Sequence, residues 1–346
     1  MEKIFEFRLT GAGQGRAISD FGWETMGPDD IRTWREAQRV LGRREIVTAS
    51  GSIRITFDFS EIISGLEHNH CVMKDLELRR QAEATPTIGE FYQQPVTIPI
   101  TVQGEFGEEE RLAEYQAESC AVSALHDIFL VMNLAAPGSC DFYSSMLDLG
   151  SRKRAAVLGL LNGPFESAYL ASFEGGWPRL QVLDLQQVAQ WYWRVRSGFA
   201  QTPGNRAEKA LFGLLHLAKI DVSPVSVIWV FYALETLFDS KAGENFRMIR
   251  DRISILLATQ PRDAASLRRN LRELYDLRSA IVHGGLEVTH PMIDDGLDRR
   301  VGRAVGRYLD ATNFGAAIVV AALQEIVKRG WAYPRFTELV EDGQPL

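Results

Sequence analysis

From Gln186 to Arg329 the chain keeps returning to one pattern: apolar residues at intervals of three and four, broken only by short turn-forming stretches. That succession constrains the fold more than any other feature, because amphipathic helices joined by short loops must bury their stripes against one another. The segment "QQVAQWYWRVRSGF" reads as one helix, and "TPGN" breaks the chain near residue 204. Further helices are expected near 206–220, 224–239, 244–258, 262–284 and 299–329.

The first hundred residues read mainly as strands. In "SIRITFDF", Ile53, Ile55, Phe57 and Phe59 alternate with polar residues, the pattern of a half-buried strand. "PVTIPITVQG" is a second extended run, in which Pro95 and Pro99 favour an edge or irregular strand. Glu108, Glu109 and Glu110 then open a helical pattern running to about Ala135, with acids placed where the helix dipole favours them. "APGSC" and "LNGPFES" punctuate a middle section with no clear period. The expected fold class is α+β. Residues 1–150 form a strand-rich N-terminal α+β domain, 151–204 a helical connection, 205–330 an all-α bundle and 331–346 a tail.

At 346 residues and 46% hydrophobic content, the chain can fill two ordinary cores. Cys71, Cys120 and Cys140 fit neither a disulfide framework nor metal-ligand spacing and read as reduced thiols. "MEKIFEFRLTG" resembles no signal or transit peptide, and "VIWVFYAL" is too short to span a bilayer, so a cytoplasmic protein with no membrane partner is expected. The net charge of −7 argues against a nucleic-acid binder on the whole-chain average. Residues 241–310, however, hold 13 Lys+Arg against 10 Asp+Glu, which leaves 25 against 35 elsewhere and permits a local basic surface.

Within that basic region, "LYDLRSAIVHGG" carries an arginine among apolar neighbours. At about 100° per residue, Leu267, Leu271, Leu274, Ile281 and Val282 all fall within about 60° of Arg278. Arg268, Arg272, Asp276, Ser279 and His283 occupy a neighbouring polar edge, roughly 80–160° away. A guanidinium stays charged, so burying it calls for a partner; the alternative is that it snorkels to solvent. Glu235, in "SVIWVFYALETLF", also lies on an apolar stripe. A buried or nearly buried Glu235–Arg278 ion pair is therefore expected, either structural or leaving donors free for an anion such as phosphate. His283 precedes Gly284 and Gly285, which suit a left-handed helix end, and a histidine there feels a field favouring its protonated form. Arginine and histidine are expected to line one groove, the arginine deeper.

Arg278-Ser-Ala-Ile-Val-His283 resembles the R-x4–6-H motif of the HEPN superfamily, and "VFYALETLFDS…RISILLA…LYDLRSAIVHGG" resembles its Apea-like branch over about residues 205–330. The resemblance implies a helical bundle that dimerises across a shared cleft and acts as a metal-independent endoribonuclease with no cofactor, in prokaryotic anti-phage or toxin-type defence. By that resemblance His283 is the acid/base, Arg278 holds or stabilises the scissile phosphate, and Ser279 takes the polar position that supports them; Glu235, from its place on the apolar stripe, and Tyr275 are the other expected supporting residues. Arg268 and Arg272 are candidate RNA contacts, and RNA (tRNA among the candidates), a second copy and a defence-system protein are the implied partners. Family members controlled by AMPylation carry a tyrosine two residues after the histidine; here that position is Gly285. The alternative is a HEPN-fold module that binds RNA or protein without cleaving.

Weaker signals are read as structural. "EHNH" with Cys71 offers only a remote metal site through His68, His70 and Cys71. "GAGQG" at 11–15 reads as a turn, lacking a phosphate-loop lysine. His126 and His216 are expected in the core or at its boundary, and the tryptophans of "QWYWRV" are expected to pack rather than stack on bases.

Overall fold

The computed structural model describes residues 2–13, 23–48, 51–81, 95–148, 155–196, 198–219, 223–240, 246–290, 293–294 and 296–337. Gln14 and Gly15 of "GAGQG", the starts of the expected connecting region and of the 244–258 helix, and most of the tail lie outside these residues. The fold is α+β, with one antiparallel sheet and ten helices among the described residues.

The strands are β1 (Glu2–Ala12), β2 (Arg43–Thr48), β3 (Gly51–Phe57), β4 (Val96–Glu105), β5 (Met146–Asp148) and β6 (Ala155–Val157), in the sheet order β2-β3-β4-β1-β5-β6. Alternation sets the register. Phe7 faces Ile100, Leu9 faces Ile98, Ile55 faces Val102 and Phe57 faces Ile100, so one apolar face is buried as a unit. Against expectation, the proline-bearing strand β4 is central, between β3 and β1. The Pro99 carbonyl accepts from the Asp58 N–H (3.1 Å), beyond the end of β3. A residue's N–H and C=O point to the same edge of a strand, so the donor Pro99 lacks faces the side where β3 has stopped.

Two helices interrupt the strand-rich half, α1 (Trp23–Val40) and α2 (Ser60–Gln81). Gly27 and Pro28 blur the first on paper, and the buried stripe of the second, Ile62, Leu66, Asn69 and Met73, includes an asparagine. Trp34 of α1 is fully buried, donates to the Ser139 carbonyl (3.0 Å) and packs edge-on to Phe59.

The long helix α3 (Glu110–Ala135) begins at the glutamate cluster and touches both sheet and bundle. The bundle consists of α4 (Gly163–Gly175), α5 (Leu185–Val195), α6 (Arg206–Ala218), α7 (Val225–Leu237), α8 (Phe246–Leu256), α9 (Pro261–Val282) and α10 (Arg299–Arg329). The last six lie where the apolar period predicts. α3 and α10 are long and apolar enough to cross a membrane by composition, but most of each apolar stretch is buried inside the fold. α10 packs on α4, α7 and α9. Gly315 makes the approach to two of these close: a Cβ there would lie 2.2 Å from Val230 Cγ1 on α7 and 3.0 Å from Leu274 Cδ2 on α9. This seam fixes α7 beside α9 and sets the distance between Glu235 and Arg278.

Candidate functional site

α9 begins with Pro261 at its first turn and ends in a Schellman turn. Gly284 adopts φ 70°, the Gly285 N–H donates to the Ala280 carbonyl (2.8 Å), and the Gly284 N–H reaches the Ile281 carbonyl (3.4 Å). His283 is the C-cap, its N–H bonded to the Ser279 carbonyl (3.0 Å) and its side chain exposed.

Leu267, Leu271, Leu274 and Leu277 are the buried residues of this helix. Leu277, about 100° from Arg278, draws the buried stripe to one side, so Arg278 lies at its edge. The expected ion pair is present but neither buried nor tight. Arg278 Nη2 stands 3.9 Å from Glu235 Oε1, and both side chains are 36% exposed. The guanidinium lies over the Phe231 ring, 5.3 Å from its centroid, so the apolar stem covers the core while the head reaches solvent. Partial burial raises the Glu235 carboxyl above the ordinary glutamate range, and Arg278 only partly offsets it. Loss of solvent outweighs the attraction.

The other expected residues surround this pair unevenly. Tyr275 is half-buried between Phe231 and Phe246, with ring centroids 5.9 and 6.1 Å away. Arg272 is held by Asp276 one turn on (3.1 Å) and lies over the rings of Phe246 and Tyr275, so it is partly committed within the chain. Arg268 is exposed and Ser279 half-buried. Arg278 and His283 are both open to solvent, five residues apart at the C-terminal end of α9. A cleft of about 750 Å³ lies at the opposite end of the helix among Trp177, Arg179, Pro261 and Arg262, and neither Arg278 nor His283 lines it.

α2 spreads His68, His70 and Cys71 around its circumference, with His68 and Cys71 exposed and His70 half-buried. Among the described residues no group of three or more His, Cys, Asp or Glu is placed to hold a metal. His126 bonds the Val122 carbonyl (2.8 Å), and burial lowers its pKa. His216 is exposed, contrary to expectation, and stacks on Trp229 at 4.0 Å. Trp191 is buried and donates to the Trp331 carbonyl (2.6 Å), a packing role as expected.

The deeply buried charges lie elsewhere, where sequence reasoning did not look. Asp127 of α3 accepts from the Arg44 guanidinium of β2, from the Tyr192 hydroxyl (2.6 Å) and from Arg196 Nε (3.3 Å). Arg196 also donates to Glu208 Oε1 (3.0 Å), and Glu208 Oε2 accepts the Gly204 N–H (2.6 Å) beside the Asn205 cap of α6. Two arginines thus balance two carboxylates at the junction of sheet and bundle. Burial and Asp127 together hold the Tyr192 hydroxyl protonated far above its usual range. The available signal was a lone acid in "SALHDIFLVMNL" and an arginine closing an aromatic helix.

Compared with protein-family models, with curated proteins and with solved structures, the chain matches none, and the HEPN resemblance rests on its own residues.

Proposed function

We propose that this chain is a metal-independent endoribonuclease of the HEPN type, acting as a homodimer in prokaryotic anti-phage or toxin-type defence. The observation that carries the reading is the pairing of Arg278 and His283 on one helix whose end is pinned by Gly284 and Gly285, both side chains reachable from solvent. RNA contains its own nucleophile, so the protein has only to move protons and stabilise charge. An imidazole takes the proton of the 2′-hydroxyl as that oxygen attacks phosphorus. A guanidinium holds the charge gathering on the phosphoryl oxygens. The imidazolium of His283 in a second copy returns a proton to the departing 5′-oxygen, leaving a 2′,3′-cyclic phosphate and a 5′-hydroxyl. A second copy also supplies the walls of the cleft, because one chain leaves both Arg278 and His283 open to solvent.

The test is cleavage of total tRNA and of a labelled single-stranded RNA in EDTA, wild type against His283→Ala. The reading expects cyclic-phosphate ends from wild type alone. Equal cleavage by both proteins refutes it. Binding without cleavage by either favours the second reading, an RNA- or protein-binding module, which the open setting of Arg278 and the exposed Val282 beside His283 also fit.

A further inference from the structure

The cleft of about 750 Å³ at the far end of α9 has the size of a small-molecule site and a composition suited to anions. Its walls come from three places: the segment carrying Trp177, Arg179 and Gln181; the turn from α8 into α9; and the last turns of α10. Arg179, Arg262, Lys328 and Arg329 face two carboxylates, Asp263 and Glu325. Glu325 is held by Arg329 (2.7 Å) and approached by Lys328 (3.8 Å), and Asp263 stands 3.7 Å from Arg262. Arg179 is exposed and has no carboxylate partner among the described residues. The cleft therefore retains a formal excess of two positive charges.

One polar group of the cleft wall also lacks a partner. The Trp177 indole N–H is buried and meets no acceptor among the described residues. A buried donor left unmatched is unfavourable, and an acceptor-rich ligand would relieve it. Ala258 holds the left-handed region at φ 47°, a conformation that a residue other than glycine adopts at a cost. Strain, an unmatched donor and an uncompensated arginine thus coincide in one concavity.

We propose that this cleft binds a small phosphorylated ligand of nucleotide size. Arg179 and Arg262 take the phosphate oxygens, and Trp177 supplies an N–H donor and an aromatic wall. The inference does not depend on the ribonuclease reading, since the cleft and the Arg278–His283 surface are at opposite ends of a 22-residue helix, about 33 Å long.

The experiment is isothermal titration calorimetry of the full chain with pyrophosphate, AMP, ATP and GTP, and with a single-stranded RNA oligonucleotide. The same titrations are run on Arg179→Ala and Trp177→Phe, whose folding is checked by thermal melting. At least one mononucleotide is expected to bind with a Kd below about 1 mM. Arg179→Ala should weaken it about tenfold or more, and Trp177→Phe, which removes the donor and keeps an aromatic ring, severalfold. Absence of binding by every mononucleotide overturns the proposal. Binding of RNA alone, or binding that both variants leave unchanged, overturns it equally.

Discussion

Replacing Asp127 with alanine removes the carboxylate that three donors share. Asp127 is 3% exposed, and its arginine partners Arg196 and Arg44 are 6% and 13% exposed. After the substitution Arg196 keeps Glu208, while Arg44 keeps the faces of Trp193 and Phe199, 4.0 and 5.9 Å from its guanidinium carbon, and no carboxylate among the described residues. One buried positive charge is left uncompensated and the Tyr192 hydroxyl loses its acceptor. Breaking a buried pair from one side costs about 3–5 kcal/mol, whereas an exposed pair contributes about 0–1 kcal/mol. Urea unfolding followed by tryptophan fluorescence measures the loss. Asp127→Ala should fall in the upper range and Glu235→Gln in the lower, with Asp127→Asn between them because the amide oxygen still accepts from Tyr192. Adding Arg44→Met to Asp127→Ala should restore part of the loss. A cost for Asp127→Ala below about 1 kcal/mol, equal to that of Glu235→Gln, would refute the view that this network, and not Glu235–Arg278, is the buried electrostatic core.

Three further outcomes are expected. Because the folded-state pKa of Glu235 is raised, the native chain holds that proton more firmly than the unfolded one, so its contribution is present below the ordinary glutamate range and lost as pH rises through the raised value. Urea midpoints from pH 4 to 7 should show this downward slope flattened in Glu235→Gln; identical slopes would contradict it. Gly315→Ala should destabilise by about 1–3 kcal/mol through collision with Val230, and Gly284→Ala by about 1 kcal/mol through its positive φ alone, both read from thermal melts. Native-state alkylation at pH 8 should modify exposed Cys71 and spare Cys120, whose thiol burial pushes up to about 11, and the fully buried Cys140; mass spectrometry showing three modified thiols would count against the packing around α3.

The apolar period located α5 to α10, with ends within about four residues, because each is about three turns or longer. It failed at β5 and β6, three residues each, where no period can develop, and at α1 and α2, where Gly27, Pro28 and Asn69 break the pattern that packing completes. The position of β4 could not be read from its prolines. Composition says that a proline lacks a donor; only the pairing shows that the missing donor of Pro99 points past the end of β3.

The arginines carry the same lesson into the site. A helical wheel put Arg278 inside an apolar stripe and Glu235 inside another, and the two do meet. What the wheel lacks is the neighbour that covers each stripe. Leu277 takes the buried position beside Arg278, so its guanidinium rides out over Phe231 into solvent. Arg196, just past the end of α5, is covered from both sides because β2 and α6 bring Arg44 and Glu208 to α3 and α5. The two arginines therefore suit opposite roles. Arg196 is held by Asp127, Glu208 and the Ala200 carbonyl, as a structural charge should be. Arg278 is loosely paired at 3.9 Å and half open, which is the state an arginine needs if it is to exchange a carboxylate for an incoming phosphate.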